Sequence, residues 1–270
     1  MFKHLLAVAV AGMMALPSFQ AMAETVVKLH AAGSLGAAIS EIANAYEART
    51  GIRVERSFGP SGLLRERIEG GEPAEVFASA NMAHPTTLAS AGMALPVVLF
   101  ARNRLCALVQ PGIEVNTPTL LETILRDDIR VGTSTPNADP SGDYAFQLFD
   151  KAEALSPGAT AKLKAKALQL TGGRDSEAAP EDRNKYGWIM ENDRADIFLT
   201  YCTNALLAKR EVPSLFIVQV PEQLSVGADY GLTVIKGASP EAFALALHIL
   251  SPSGQAVLVD YGFDAPGFTR

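Results

Sequence analysis

The chain has 270 residues, a net charge of −6 at neutral pH and 48% apolar residues; that length suits one large domain or two closely joined lobes with a sizeable core. The acidic balance argues against nucleic acid as a partner. Past the first residues, no segment approaches the roughly 18 uninterrupted apolar residues of a spanning helix.

Met1-Phe2-Lys3-His4, the apolar run from Leu5 to Leu16 and Ala21-Met22-Ala23 ahead of Glu24 have the three parts of a secretory signal peptide. Residues 1–23 are therefore expected to be a leader cut after Ala23. Val26 to Ala31 reads as a buried strand, and Leu35 to Arg49 carries apolar residues at helical spacing with Ser34 as its N-cap. The unit repeats as a strand from Ile52 to Phe58, a turn at Gly59-Pro60-Ser61-Gly62 and a helix from Leu63 to Glu69. A strand from Val76 to Ser79, a helix around His84 to Ala91 and a long strand from Val97 to Gln110 follow. Next come a helix over Thr117 to Arg126, a strand over Ile129 to Thr133, helices over Asp143 to Leu155 and Arg183 to Glu191, and a strand over Ile197 to Tyr201. Leu215 to Pro221 and Gly231 to Lys236 read as strands, and helices over Pro240 to Leu250 and Ser253 to Tyr261 close the chain. Strands alternating with helices predict an α/β fold with mostly parallel sheet. Gly172 to Pro180 is Gly-rich and polar, a surface loop not expected to carry the fold.

Open α/β sheets bind ligands at the carboxyl ends of strands, where the next helix offers unpaired N–H groups. Three serines fall at such points: Ser34 in Gly33-Ser34-Leu35, Ser61 in Pro60-Ser61-Gly62 and Ser141 in Pro140-Ser141-Gly142. Each brings a hydroxyl donor beside small residues, and together they would cradle a tetrahedral oxyanion; each alone also reads as a helix cap. Enzyme chemistry finds no support. His30, His84 and His248 are isolated, Gly59-Pro60-Ser61-Gly62-Leu63 lacks the final glycine of a nucleophile elbow, and there is no phosphate loop or dinucleotide fingerprint. Cys106 and Cys202 are too far apart in sequence for a metal or redox motif, and are either bridged or two buried thiols.

The runs Leu29-His30-Ala31-Ala32-Gly33-Ser34-Leu35, Ser57-Phe58-Gly59-Pro60-Ser61-Gly62-Leu63-Leu64 and Gly71-Glu72-Pro73-Ala74-Glu75-Val76-Phe77-Ala78-Ser79-Ala80, in that order, resemble the signatures of periplasmic molybdate-binding proteins. Asn103-Arg104-Leu105, Pro140-Ser141-Gly142-Asp143-Tyr144-Ala145, Ile197 to Asn204 and Tyr261-Gly262-Phe263 extend the resemblance over essentially the whole exported chain. It implies a two-lobed periplasmic solute-binding protein of type II, with mixed, mostly parallel sheets and hinge crossover strands near Asn103 and Tyr230. Residues 24–102 with 231–270 would form lobe 1, and 103–230 lobe 2. The resemblance further implies a monomer that is not an enzyme, needs no cofactor and delivers molybdate, tungstate or a similar oxyanion to an ABC transporter permease. Another oxyanion or a small carboxylate stays open, and behind it an exported enzyme or sensory subunit on the same scaffold, because a fold does not dictate its function.

Carried over position by position, the resemblance puts Ser34 and Ser61 on the ligand from one lobe. From the other it puts the Ser141 amide, the Arg183 amide and the Tyr201 hydroxyl, with Leu35, Gly62 and Asp139 as further candidates. The sequence departs from the family's pattern at Arg183, usually apolar there, whose guanidinium points either inward as a charged donor or outward to solvent. Asp139-Pro140-Ser141-Gly142 is similar to binders that add carboxylates to a six-coordinate metal centre, while a plain reading makes Asp139 a turn residue before proline. Tyr186 and Trp188 are expected to pack rather than bind.

Overall fold

The computed structural model describes residues 25–266, and the assigned leader lies outside them. β1 (Val26–Ala32) is buried on every side chain from Leu29 onward, as in parallel strands covered on both faces. After a 3₁₀ turn at Gly33–Leu35, α1 (Gly36–Thr50) buries Ile39, Ile42, Ala43 and Tyr46 on one face and ends at Gly51, where φ is 72°. β2 (Arg53–Gly59), α2 (Ser61–Glu69), β3 (Val76–Ser79) and α3 (Ala83–Ser90) follow, with β1 parallel to both β2 and β3.

The chain continues through β4 (Val98–Val109), α4 (Leu120–Leu125), β5 (Val131–Ser134), α5 (Pro140–Ala152), α6 (Ala159–Lys166) and β6 (Leu168–Thr171). It closes with α7 (Lys185–Glu191), β7 (Ile197–Tyr201), α8 (Cys202–Glu211), β8 (Phe216–Gln219), β9 (Gly227–Val234), α9 (Pro240–Leu250) and α10 (Pro252–Asp260). The strand order is β2-β1-β3-β9-β4-β7-β5-β6, with β8 beside β4. β4 serves two sheets: Val98 to Arg104 pair with β9 in lobe 1, whereas Leu105 to Val109 pair with β7 and β8 in lobe 2.

The two-lobed mixed α/β architecture is the expected one. Pairing is parallel at the flanks and antiparallel through the middle, because β4 and β9 run against their neighbours. The return to the first sheet comes at Gly227, ahead of the crossover expected near Tyr230. One apolar core runs through both lobes, from Leu29, Ile39 and Leu232 in the first to Leu105, Val131 and Phe149 in the second. Cys106 on β4 and Cys202 at the start of α8 form a disulfide, which decides between the two alternatives the sequence left open.

Buried His30 on β1 places Nε2 2.9 Å from Glu72 Oε1, and Arg67 also grips this carboxylate. Arg67 and then His30 hold the Glu72 carboxyl down at about 2. The stability it lends is therefore complete above the ordinary carboxylate range and is lost as pH falls from about 4.5 toward 2. Glu72→Gln should flatten this limb of an acid-denaturation curve; an unchanged limb would rule the carboxylate out as its source.

Candidate functional site

Both lobes turn the carboxyl ends of their strands toward one cleft. In lobe 1, β1 leads into the turn holding Ser34, and β2 passes through Pro60 directly into α2 with Ser61 as its first residue. In lobe 2, β5 leads into the loop holding Asp139, and β7 ends at Tyr201. Between them lies a cavity of about 240 Å³, walled by Gly33, Ser34, Pro60, Ser61 and Ala80 from lobe 1 and by Asp139, Arg183, Lys185, Tyr186, Tyr201 and Asn204 from lobe 2. Drug-sized ligands occupy roughly 300–1,000 Å³, so this space suits a small solute.

The hydroxyls are held by specific partners. Ser61, fully buried, accepts a hydrogen bond from the Ala80 amide at 3.1 Å, which leaves its own hydrogen to donate. Ser34 is not the helix cap the spacing suggested. No side chain caps α1, and Ser34 Oγ lies 3.0 Å from the Tyr230 hydroxyl, which also accepts from Asn103 at 3.4 Å. Tyr201 donates across the cleft to the Ala80 carbonyl at 3.3 Å. Burial pushes the Tyr186, Tyr201 and Tyr230 phenols up, so they remain neutral hydroxyls at physiological pH.

The charged groups are sorted by their contacts. Asp139 caps α5, its Oδ1 accepting the Ser141 amide at 3.0 Å with Pro140 in the first helical position. This is the plain turn reading of Asp139, though the residue also walls the cavity. Burial raises its carboxyl pKa, and the nearby positive charge of Lys185 opposes the rise. Arg183 reaches the cavity wall but points its guanidinium away, Nε to Glu211 at 2.7 Å and Nη2 to Glu191 at 2.5 Å. Lys185 does the opposite. Its Nζ would lie 3.7 Å from a Cβ added to Gly33, so the ammonium crosses from lobe 2 to the Ser34 turn.

Several expected donors need correction in this arrangement. The Arg183 amide donates to the Pro180 carbonyl, the Gly62 amide to the Ala138 carbonyl and the Ser141 amide to Asp139. Helix capping and contact between the lobes thus engage all three. Leu35 is fully buried in the core, and neither it, Gly62 nor Ser141 walls the cavity. Lys185, Asn204 and Tyr186 wall the cavity without having been singled out as ligand contacts in the sequence. Tyr186 both packs on Phe198, with ring centroids 5.3 Å apart, and walls the cavity. Trp188 only packs. The loop from Gly172 also comes to the cleft, walling an adjoining chamber of about 410 Å³.

Residues 27–264 match the family described as bacterial extracellular solute-binding protein. The chain belongs to that family. It is 36% identical over 239 residues to an uncharacterized protein, PM1146, of Pasteurella multocida, covering 88% of this chain and 98% of the other. The molybdate-binding protein ModA of Escherichia coli is 26% identical, with 88% of each chain covered. Among solved structures, the periplasmic molybdate-binding protein of Azotobacter vinelandii matches with a TM-score of 0.70 at 21% identity, over 89% of this chain and 99% of that one. L-phospholactate-bound PEB3 matches at 0.67 and 16% identity, over 88% and 99%. At such identities these two show a shared fold. For a solute-binding protein, the bonds from Gly62 to Ala138, from Tyr201 to Ala80 and from Arg174 to Glu66 join the lobes in a closed form.

Proposed function

We propose that the protein captures a small oxyanion between its lobes and delivers it to an ABC transporter permease, working as a periplasmic monomer once the leader is cut after Ala23. The observation that carries this reading is the convergence on one cleft cavity of Ser34, Ser61 and Lys185, with the Tyr201 hydroxyl beside them once a ligand draws it from the Ala80 carbonyl. Hydroxyls and an ammonium suit an anion, and donors drawn from both lobes meet on it only when the lobes close. Molybdate, with tungstate beside it, is the first ligand to test, because ModA proteins are among the relatives. Lys185 favours a second reading, another oxyanion or a small carboxylate, since neutral donors alone suffice for a fully ionised tetrahedral anion.

Calorimetric titration with molybdate, tungstate, sulfate, phosphate and a small dicarboxylate tests both. Tight binding of the metal oxyanions alone supports the first reading. Binding of phosphate or the dicarboxylate alone supports the second, and silence from all five removes the oxyanion assignment. Ser34→Ala is the cleaner site variant, because Ser61→Ala would also orphan the buried Ala80 amide. Loss of one hydrogen bond to a charged ligand, about 1.5–3 kcal/mol, should weaken binding roughly ten- to hundredfold. Undiminished affinity would remove Ser34 from the site.

A further inference from the structure

A carboxyl group stands in the wall of the anion cavity. Asp139 lines it from lobe 2, while Ser34 and Ser61 line it from lobe 1. Its Oδ1 accepts the Ser141 amide at 3.0 Å, and its Oδ2 lies where a Cβ added to Gly172 would stand 2.6 Å away. Gly172, at φ 82°, thus makes room for a carboxyl at this point of the wall. Helix capping alone does not call for an acid here. Ser, Thr and Asn cap helices as well, and in this chain Asn184 caps α7 and Ser239 caps α9.

The surroundings of Asp139 bear on its charge. Lys185 on α7, the Ser141 amide and the Ser134 hydroxyl on β5 favour the carboxylate, while Asp143, further along α5, opposes it. Tyr186 and Tyr201 face it as neutral phenols, and Arg183 turns its guanidinium to Glu191 and Glu211. Burial is the largest influence, and it raises the carboxyl pKa before any ligand arrives. A doubly charged oxyanion in the same cavity adds its charge to that of Asp139 against the single ammonium of Lys185. Acidic groups that share a site cannot all stay ionised, and one proton between them relieves the repulsion.

We propose that the site captures its oxyanion together with one proton from solvent, held between the Asp139 carboxyl and the anion. The protonated carboxyl donates to the anion beside Ser34, Ser61 and Lys185, where a carboxylate would repel it. This rests on the oxyanion reading above and assigns Asp139 as the residue that links capture to pH. Because the anion raises the Asp139 pKa further, affinity is full below the pKa of the free protein. It falls as pH rises from there toward the pKa of the complex.

The experiment titrates wild type and Asp139→Asn with molybdate and with sulfate, both fully ionised at neutral pH, in calorimetric buffers of differing protonation enthalpy. Asparagine also caps helices, so the variant should melt near the wild-type temperature. The expected result for wild type is uptake of about one proton per anion, with affinity falling by up to roughly tenfold per pH unit. Asp139→Asn should show neither effect and should hold either anion more tightly than wild type in mild alkali, which a capping role alone would not produce. Binding without proton uptake overturns the proposal and leaves the oxyanion reading standing. Uptake that persists in Asp139→Asn overturns Asp139 as the seat of the proton. Binding of neither anion overturns the proposal together with capture of a fully ionised oxyanion.

Discussion

Gly62→Ala is expected to leave a folded protein that has lost its ligand. A Cβ at Gly62 would stand 2.5 Å from the Asn137 carbonyl oxygen and 2.8 Å from that of Ala138, both backbone atoms of the opposite lobe. Neither can rotate aside, but the lobes can part. The substitution therefore burdens only the closed form, with an overlap of about 1–3 kcal/mol or more and the loss of the Gly62 to Ala138 hydrogen bond, about 1 kcal/mol. Affinity for whichever anion binds wild type should fall about thirtyfold or more, and ligand should no longer shrink the radius of gyration in small-angle scattering. The ligand-free melting temperature should barely move. Gly142→Ala is the contrast, because its Cβ would meet Ser134 O at 2.5 Å within lobe 2, where opening gives no relief. That variant should lose several degrees without ligand, at about 2–4 °C per kcal/mol. Wild-type affinity in Gly62→Ala would show that this contact does not govern closure.

Replacing both Cys106 and Cys202 by alanine should cost about 2–5 kcal/mol of stability. The bridge joins residues 96 apart in sequence, and a cross-link over so long a loop removes much of the freedom of the unfolded chain, with the share due to entropy depending on the model used. Melting should drop by roughly 5–15 °C. The location adds a functional effect. Leu105 is paired with Tyr201 in the β4–β7 register, so the bridge fixes the strand end that carries the Tyr201 hydroxyl to the strand shared by both lobes. Ligand affinity should fall along with stability, and titration below the lowered melting point separates the two. Two reactive thiols in the denatured, unreduced wild type would contradict the bridge.

The alternating strands and helices of lobe 1 were legible because each unit has its own periodicity and turn residues. That Ser61 and Tyr201 would wall the cleft was legible because they stand at strand ends. α8 was not, since it starts at Cys202 without a capping side chain, and α6 follows Gly158 at φ 87° with no Ser, Thr, Asp or Asn to announce it. Ser34 was misread as a cap because its partner, Tyr230, is 196 residues away. Arg183 drew attention from Lys185 for a similar reason. Which of two cations in one polar run faces the cleft depends on Glu211, on another helix, taking the arginine. The cysteine pairing likewise required the β4–β7 register, which local pattern does not contain.

The shared strand has a consequence for how the chain acquires its shape. β3 finds its outer partner only in β9, with Val76 opposite Val234, and the first half of β4 pairs with the same late strand. Until β9 has been synthesised, the first sheet has an open edge and its core lacks Leu232. Contacts that wait on such long loops form slowly, because the entropy of closure comes before the contacts repay it. Synthesis order thus keeps lobe 1 incomplete until the final strand and helices exist, which suits a protein that must cross a membrane before it works.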